Sequence, residues 1–198
     1  MSDEADPAAC NPVRLGCPSY MRSWPAITRF VDQVRDGAAP RHVEVSNGLG
    51  AALLDAVRSQ RLDLAIVLGP VGDPSLTSTR IAEEPLLIAI SDGHPLAALA
   101  EIPIPSLEGE SLILFPRDVN PTLYDYYTSI LANHGLRPTI LAEPSSEASR
   151  TAAAAGLGFA LTPASLAAQA PIAGLVHRPI AGHALVVDVN VVRRSDRG

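Results

Sequence analysis

The chain has 198 residues, of which 47% are hydrophobic and 18% are charged, and its formal net charge is −6 with a pI near 5.3. This composition is typical of a globular protein, and the acidic balance argues against nucleic-acid binding through a basic face of this chain. The sequence contains no apolar run of about eighteen residues or more, so no transmembrane helix is predicted.

The first twelve residues are predicted to be a disordered leader. They carry three acidic side chains and lack the apolar core of a signal peptide. Cys10 and Cys17 form neither a C-x-x-C pair nor a metal-binding spacing, and this pattern favours a reduced, cytoplasmic location. Cys17 could be a reactive thiol, but a small buried residue at the end of a strand is the more frequent case.

The first half of the chain shows strand and helix patterns in alternation. Val13–Gly16 is predicted to be a strand, and a helix with Pro25 in its first turn ends at Gly37. The stretch 43–69 then reads as a strand, a turn over Ser46–Gly48, a helix and a buried strand. This order in under about thirty residues predicts a βαβ unit with parallel strands.

The second half repeats the alternation. Residues 77–90 are predicted to form strands, and the Pro-rich stretch 102–105 a connector between two lobes. Asn120 and Pro121 are an N-cap and first-turn pair for the next helix. The remaining predicted elements are strands at 112–115, 139–141, 159–161 and 185–192, a helix from Ser145 or Ser146 through Ala155, and a short helix from Pro163.

Several of the predicted helices begin where a strand ends. Open α/β sheets bind ligands at the carboxyl ends of their strands, and the free N–H groups of a helix N-terminus favour an anion. The junctions near Ser19, Gly50 and Asn120 are therefore predicted to meet at a binding cleft. A core βαβ unit without a ligand fits the same pattern. Ser19 taken alone fits a plain helix cap better than a ligand role, and Asn120 and Thr122 could equally be simple caps.

Five short motifs indicate a family. They are RLDLAI (61–66), HPLA (94–97), LILFPR (112–117), GLRP (135–138) and AAGLGFALTP (154–163). In this order and spacing they resemble the effector-binding domain of LysR-type transcriptional regulators, and most closely the branch that senses intermediates of aromatic degradation. The resemblance extends over about 13–194.

The resemblance implies an α/β chain with a two-lobed, type II periplasmic-binding-protein-like fold. Each lobe would be a mostly parallel sheet flanked by helices, with a cleft between the lobes. Lobe I is expected near 13–90 plus 168–194, and lobe II near 91–167. The family also carries an N-terminal helix-turn-helix, which this chain lacks, so DNA contact is expected only through a domain absent from it.

The resemblance also implies positions for the effector. At the second helix N-terminus the family's hydroxyl residue falls at Gly50, so only the backbone N–H carries over. The expected ligand-binding residues are Pro18, Ser19, Tyr20, Leu49, Gly50, Arg117, Asn120, Thr122 and Thr162. The effector is expected to be a small carboxylate, either aromatic or an unsaturated diacid. Arg117 is also explained as a solvated loop charge.

The predicted function is a ligand-sensing domain of a bacterial transcription regulator, cytoplasmic, without membrane association, and paired as a homodimer through antiparallel lobe contacts. A solute-binding protein of a transporter is the alternative with the same lobes, and a small enzyme using the same cleft is a third. The sequence contains no H-E-x-x-H, G-x-S-x-G or Walker motif. Catalytic residues, metal ligands and cofactors are therefore not expected.

Overall fold

The computed structural model describes residues 11–37, 41–182 and 185–195. The chain divides into two compact units. Unit 1 contains the described residues of Met1–Val67, Asp73–Ile81 and Asn190–Gly198, and unit 2 contains those of Leu68–Gly72 and Ala82–Val189. The predicted leader over 1–12 and Cys10 fall almost wholly outside the described residues.

Unit 1 is built on parallel strands connected by helices. Its elements are β1 (Val13–Cys17), α1 (Pro25–Asp36), β2 (Val43–Asn47), α2 (Gly50–Arg58) and β3 (Leu64–Leu68). The last residue of β3, Leu68, is assigned to unit 2. Strand β1 pairs in parallel with both β2 and β3, so it lies in the middle of the three. This arrangement confirms the βαβ unit predicted for 43–69.

An aspartate of the RLDLAI motif ties β1 to the start of β3. The Asp63 carboxylate accepts hydrogen bonds from the Arg14 backbone N–H, Nε and Nη2 at 2.8, 3.1 and 2.8 Å. These bonds hold the pKa of Asp63 below its usual value. The motif's charged residue thus has a structural role in setting the register of the sheet.

Unit 2 contains the remaining elements. They are β4 (Leu76–Ser91), β5 (Leu112–Leu114), α3 (Pro121–Asn133), β6 (Ile140–Ala142), α4 (Ser146–Ala154), β7 (Ala160–Pro163), α5 (Ala164–Gln169), β8 (Leu175–Arg178) and β9 (Val186–Arg194). Strand β4 belongs to unit 2 from Ala82 onward, and β9 belongs to it up to Val189. Strand β4 pairs antiparallel with β7 and with β8, while β5 and β6 are parallel.

Helix α4 covers one face of the unit 2 sheet. Ala152 and Ala153 of the helix pack with Ala89, Ile113 and Ala160 from three strands, and all five side chains are buried. The four alanines of this cluster let the helix approach the sheet closely around them, because each carries only a methyl group. Of these residues, Ala160 belongs to the AAGLGFALTP motif, and Ala152 and Ala153 directly precede it.

The structure confirms most predicted elements and differs at three places. Residues 76–91 form one strand of 16 residues rather than several. The strand β8 escaped prediction, since LVHR is short and half-buried throughout. The predicted connector over 102–105 lies inside unit 2, where Ile102 bridges Ile180 and Ile104 begins a 3-10 helix. Burial of both isoleucines anchors the segment in the core.

The lobes expected from the sequence do not coincide with these two units. Residues 82–90 and 168–189 were expected in lobe I, but they belong to unit 2. Strands β4 and β9 each contribute residues to both units, so any boundary cuts through a strand. The lobe limits stay a prediction. Within the described residues, no helix is long and apolar enough to cross a membrane, and no group of His, Cys, Asp and Glu has metal-binding geometry.

Candidate functional site

In unit 1 the strand-to-helix junctions lie at one edge of the sheet. Strands β1 and β2 run in register, with Cys17 opposite Asn47. The segment Pro18–Tyr20 follows β1, and Leu49 and Gly50 follow β2. The structure therefore brings these five predicted ligand residues to neighbouring positions at the carboxyl ends of two parallel strands.

Two glycines allow α2 to begin close to these strand ends. A Cβ on Gly16 would lie 2.6 Å from Leu53 Cδ2, and a Cβ on Gly48 would lie 2.5 Å from the same atom. Leu53, in the first turn of α2, is buried and occupies the space that the missing side chains leave. This contact sets the position of the N-terminus of α2 relative to β1.

The N-terminus of α2 has no side-chain cap. Leu49 is the N-cap residue, its side chain is 51% exposed and forms no capping hydrogen bond, and the first turn contains no acidic residue. Gly50 has φ of +36°, in the left-handed region that favours glycine. The Ala52 N–H donates to the Leu49 carbonyl oxygen at 3.0 Å, so the N–H groups of Gly50 and Ala51 are the polar groups that this junction offers.

The segment after β1 is a short 3-10 helix over Ser19–Met21. Ser19 is exposed, whereas Pro18 is buried and Tyr20 is half-buried against Trp24, with ring centroids 6.1 Å apart. Burial, and to a smaller extent the Cys17 thiolate that forms at high pH, raises the pKa of Tyr20 to about 12. The phenol is therefore neutral at physiological pH.

Cys17 and Trp24 complete the buried surroundings of Tyr20. Burial raises the pKa of the Cys17 thiol to about 11, so the protonated form prevails, and its Sγ lies 3.5 Å from the Pro18 carbonyl oxygen. This agrees with a small buried residue rather than a reactive thiol. The Trp24 Nε1 is buried without a hydrogen-bond partner. Sequence reasoning passed over Trp24, although it directly precedes Pro25 at the start of α1.

In unit 2, Asn120 and Thr122 form a capping arrangement at the start of α3. Asn120 Oδ1 accepts hydrogen bonds from the Leu123 backbone N–H at 3.2 Å and from Thr122 Oγ1 at 3.1 Å. Both side chains are half-buried. The capping interpretation of these residues is therefore observed, and a role in ligand binding would have to coexist with it.

Arg117 is also engaged in an internal contact. Its Nε and Nη2 donate to the two carboxylate oxygens of Asp125 at 2.7 and 2.6 Å. The side chain is 62% exposed. This bidentate pair occupies two donors of the guanidinium, as expected of a surface loop charge.

Thr162, the last predicted ligand residue, lies on β7 and is 1% exposed. Its Oγ1 is buried without a hydrogen-bond partner. Ala160, two residues earlier on the strand, packs against α4, so the two side chains share that face. The hydroxyl is an unused polar group in an apolar layer.

Comparison with known proteins identifies the family. The model of the LysR substrate binding domain matches residues 8–198. The chain belongs to the LysR substrate-binding domain family. This membership confirms the resemblance drawn from the five motifs.

Two curated regulators are similar to this LysR domain. The transcriptional regulator CatR of Pseudomonas putida is 30% identical over 119 residues, which are 59% of this chain and 40% of CatR. BenM of Acinetobacter baylyi is 28% identical over 142 residues, which are 70% of this chain and 47% of BenM. The chain thus spans less than half the length of these relatives.

Solved structures show the same fold. The BenM effector-binding domain with its effector benzoate superposes with a TM-score of 0.77 and 21% identity, covering 93% of this chain and 83% of that one. The effector-binding domain of QuiR in complex with shikimate gives a TM-score of 0.75 and 18% identity, covering 94% and 88%. The type II periplasmic-binding-protein-like fold is thereby confirmed. The matched family is a binding domain and the relatives are regulators, so the chain is not an enzyme.

Proposed function

We propose that this LysR substrate-binding domain senses a small carboxylate, which binds in the inter-lobe cleft that the family resemblance implies and controls a cytoplasmic transcription regulator. Membership of the family carries the assignment as a sensor domain. The proposed contacting residues are Pro18–Tyr20, Leu49, Gly50, Arg117, Asn120, Thr122 and Thr162.

The chemistry of the α2 N-terminus supports an anionic effector. An uncapped helix start with no acidic residue in its first turn retains free N–H groups and a partial positive charge. Gly50 presents its backbone N–H without a side chain over it. A carboxylate at this position would accept the hydrogen bonds that a capping side chain provides in other helices.

The ligands in two structures with this fold agree with that class. BenM is described with benzoate and QuiR with shikimate, and each of these molecules is a ring that carries one carboxylate. Both proteins are under 25% identical to this chain, so they support a class of ligand and not one compound.

The experiment is a thermal-shift screen of ring carboxylates and unsaturated diacids, each beside its amide and methyl ester. A carboxylate at a hundred times its Kd should stabilise the protein by about 2.7 kcal/mol, and the neutral analogues by much less. Equal stabilisation by amides, esters or amines would contradict the proposal.

Two variants of Leu49 locate the site. Leu49→Asn and Leu49→Asp are nearly isosteric, and each should cap α2 and raise the stability of the free protein by about 0.5–2 kcal/mol. The aspartate also places a negative charge where the effector carboxylate is proposed to bind. Carboxylate affinity should therefore fall much further in Leu49→Asp than in Leu49→Asn, measured by isothermal titration calorimetry. Equal affinities in the two variants would place the anion elsewhere.

Thr122 is tested with a matched hydroxyl on the same helix. Thr122→Ala should weaken carboxylate binding, whereas Thr128→Ala should leave it unchanged, because the Thr128 hydroxyl donates to the Tyr124 carbonyl oxygen within α3. Equal effects of the two substitutions would remove Thr122 from the proposed site.

The proposed assembly is a homodimer with antiparallel lobe contacts. Ile27 is the buried apolar residue of α1, while Phe30, Val31 and Val34 stay half-buried in the single chain. On α3, Ile130 is likewise half-buried. Phe30→Glu or Ile130→Glu should convert the dimer to a monomer with an unchanged circular dichroism spectrum. Light scattering that still gives a dimer, or a spectrum of an unfolded chain, would contradict this interface.

A further inference from the structure

Beneath α4, unit 2 contains a polar corner in an otherwise apolar layer. Arg150 lies on this helix three residues before Ala153, and residues at this spacing share a helix face. Since Ala153 packs against the sheet, Arg150 points in the same direction, and it is only 4% exposed. A guanidinium is thus buried between a helix and a sheet.

A histidine faces the same layer from the sheet. His177 of β8 stands directly opposite Ala89 of β4, and directly opposed residues of an antiparallel pair project to one face. Ala89 packs against α4, and so does Leu175, two residues before His177 on the same strand. His177 therefore lies on the face that α4 covers. Burial lowers the pKa of His177, and the positive charge of Arg150 lowers it further.

Both side chains hold a buried nitrogen without a hydrogen-bond partner. Arg150 Nη1 donates to the Ala170 carbonyl oxygen at 2.6 Å, but its Nε has no partner, and His177 Nε2 has none either. No carboxylate of the described residues lies within ion-pair distance of Arg150. Glu147 attracts the guanidinium from one turn away and is itself exposed.

A buried cation without a counter-charge is costly, and unpaired buried donors add to that cost. Two features decide which group would relieve it. The positive charge calls for an anion, and because Arg150 is 4% exposed that anion would have to be small. We propose that Arg150 and His177 form a buried site for a chloride-sized anion beneath α4, held by the Arg150 Nε–H and by a neutral His177 that donates from Nε2–H.

This proposal does not depend on the proposed effector, because it concerns different residues and a different size of anion. It explains why an arginine is tolerated in an alanine layer: the anion would neutralise the guanidinium while Nη1 holds the end of α5 at Ala170. The site would thus stabilise unit 2 by joining α4, β8 and the end of α5.

The test compares melting temperatures in sodium chloride and in sodium methanesulfonate at equal ionic strength. Chloride at about ten times its Kd should raise Tm by about 3–5 °C. The rise should vanish in Arg150→Met, which retains an unbranched apolar chain of similar length. It should persist in Arg137→Met, which removes an equal charge from an exposed position of unit 2. A rise in Tm caused by an anion at the effector site would persist in both variants, so it can be distinguished from binding at Arg150.

Crystals grown in bromide give a direct readout that remains available if Arg150→Met fails to fold. An anomalous peak within hydrogen-bond distance of both Arg150 Nε and His177 Nε2 is expected, and it should be absent in His177→Phe. Long-range nitrogen NMR should show His177 as the Nε2–H tautomer. A water without anomalous signal at this position, or equal Tm values in the two salts, would overturn the proposal.

Discussion

The first turns of α2 and α3 were both predicted to contact the effector, yet they differ in whether a side chain accepts hydrogen bonds from their free backbone N–H groups. In α3 the Asn120 side chain caps the helix and Thr122 bonds to the cap. In α2 the N-cap is an exposed leucine that forms no such bond. A capped start stabilises the free protein, whereas an uncapped one keeps its donors available for a ligand.

The two helix starts nevertheless share a packing device. Leu53 of α2 lies against Gly16 and Gly48, and Leu123 of α3 lies against Gly69, where a Cβ would be 2.8 Å from Leu123 Cδ1. In each case a leucine near the helix start fills the space over a glycine. The position of each helix thus comes from close packing, and the difference between them is confined to the cap.

The largest expected effect comes from disturbing that packing at α2. Gly16→Ala would place a methyl group 2.5 Å from Leu62 Cδ1 and 2.6 Å from Leu53 Cδ2. We expect a loss of about 1–3 kcal/mol in the free energy of unfolding, measured in urea. Gly72→Ala is the control, because nothing lies within 4 Å of its Cβ position, and it should stay within about 0.5 kcal/mol of wild type. Equal effects in the two variants would refute the packing argument.

The next effect comes from removing the cap of α3. Asn120→Ala should lower the free energy of unfolding by about 0.5–2 kcal/mol, because the Leu123 N–H and the Thr122 hydroxyl lose their shared acceptor. Asn133→Ala, at the exposed last residue of the same helix, is the matched control and should have little effect. If neither substitution changes the free energy of unfolding, the cap of α3 does not stabilise the protein and the contrast with α2 is refuted.

A smaller effect is expected from the arginine–aspartate pairs on the two helices. At the end of α2, Arg58 Nε donates to Asp73 at 2.6 Å, and Asp73 also accepts from the Ser75 hydroxyl and N–H. The Ser75 bonds, followed by the Arg58 bond, lower the pKa of Asp73 to about 2. Since the folded-state pKa lies below the unfolded value, this contribution to stability is present above about pH 4 and is lost as the pH falls toward 2.

The measurement is urea unfolding of wild type and Asp73→Asn between pH 2 and pH 7. The difference in unfolding free energy between them should shrink toward pH 2. For Asp125, the Arg117 bond also lowers the pKa, but both partners are about half exposed or more. Asp125→Asn should therefore change stability less than Asp73→Asn does, because solvent screens the exposed pair. A larger pH dependence for Asp125 than for Asp73 would reverse the comparison.

Much of the fold could be predicted from local patterns. Pro25, Asn120 and Pro121 mark helix starts because proline fits the first turn of a helix and a short polar side chain is favoured at the N-cap. Helices α1 and α3 begin as predicted. Apolar runs located the buried strands β3 and β5. Strand β8 was missed, since its four half-buried residues carry no apolar periodicity, and Ile102 looked like part of a connector because its partner Ile180 is 78 positions away.

The sequence by itself determined the family, the fold class and the alternation of strands and helices, because motif order and apolar periodicity are local properties of the chain. Only the tertiary structure decided which polar groups are already engaged. Arg117 is paired with Asp125 and Thr122 with Asn120, while Arg150 and His177 each hold a buried nitrogen without a partner. Such hydrogen-bond pairs depend on distances between side chains that come together only when the chain folds. These distances cannot be predicted from the order of residues alone.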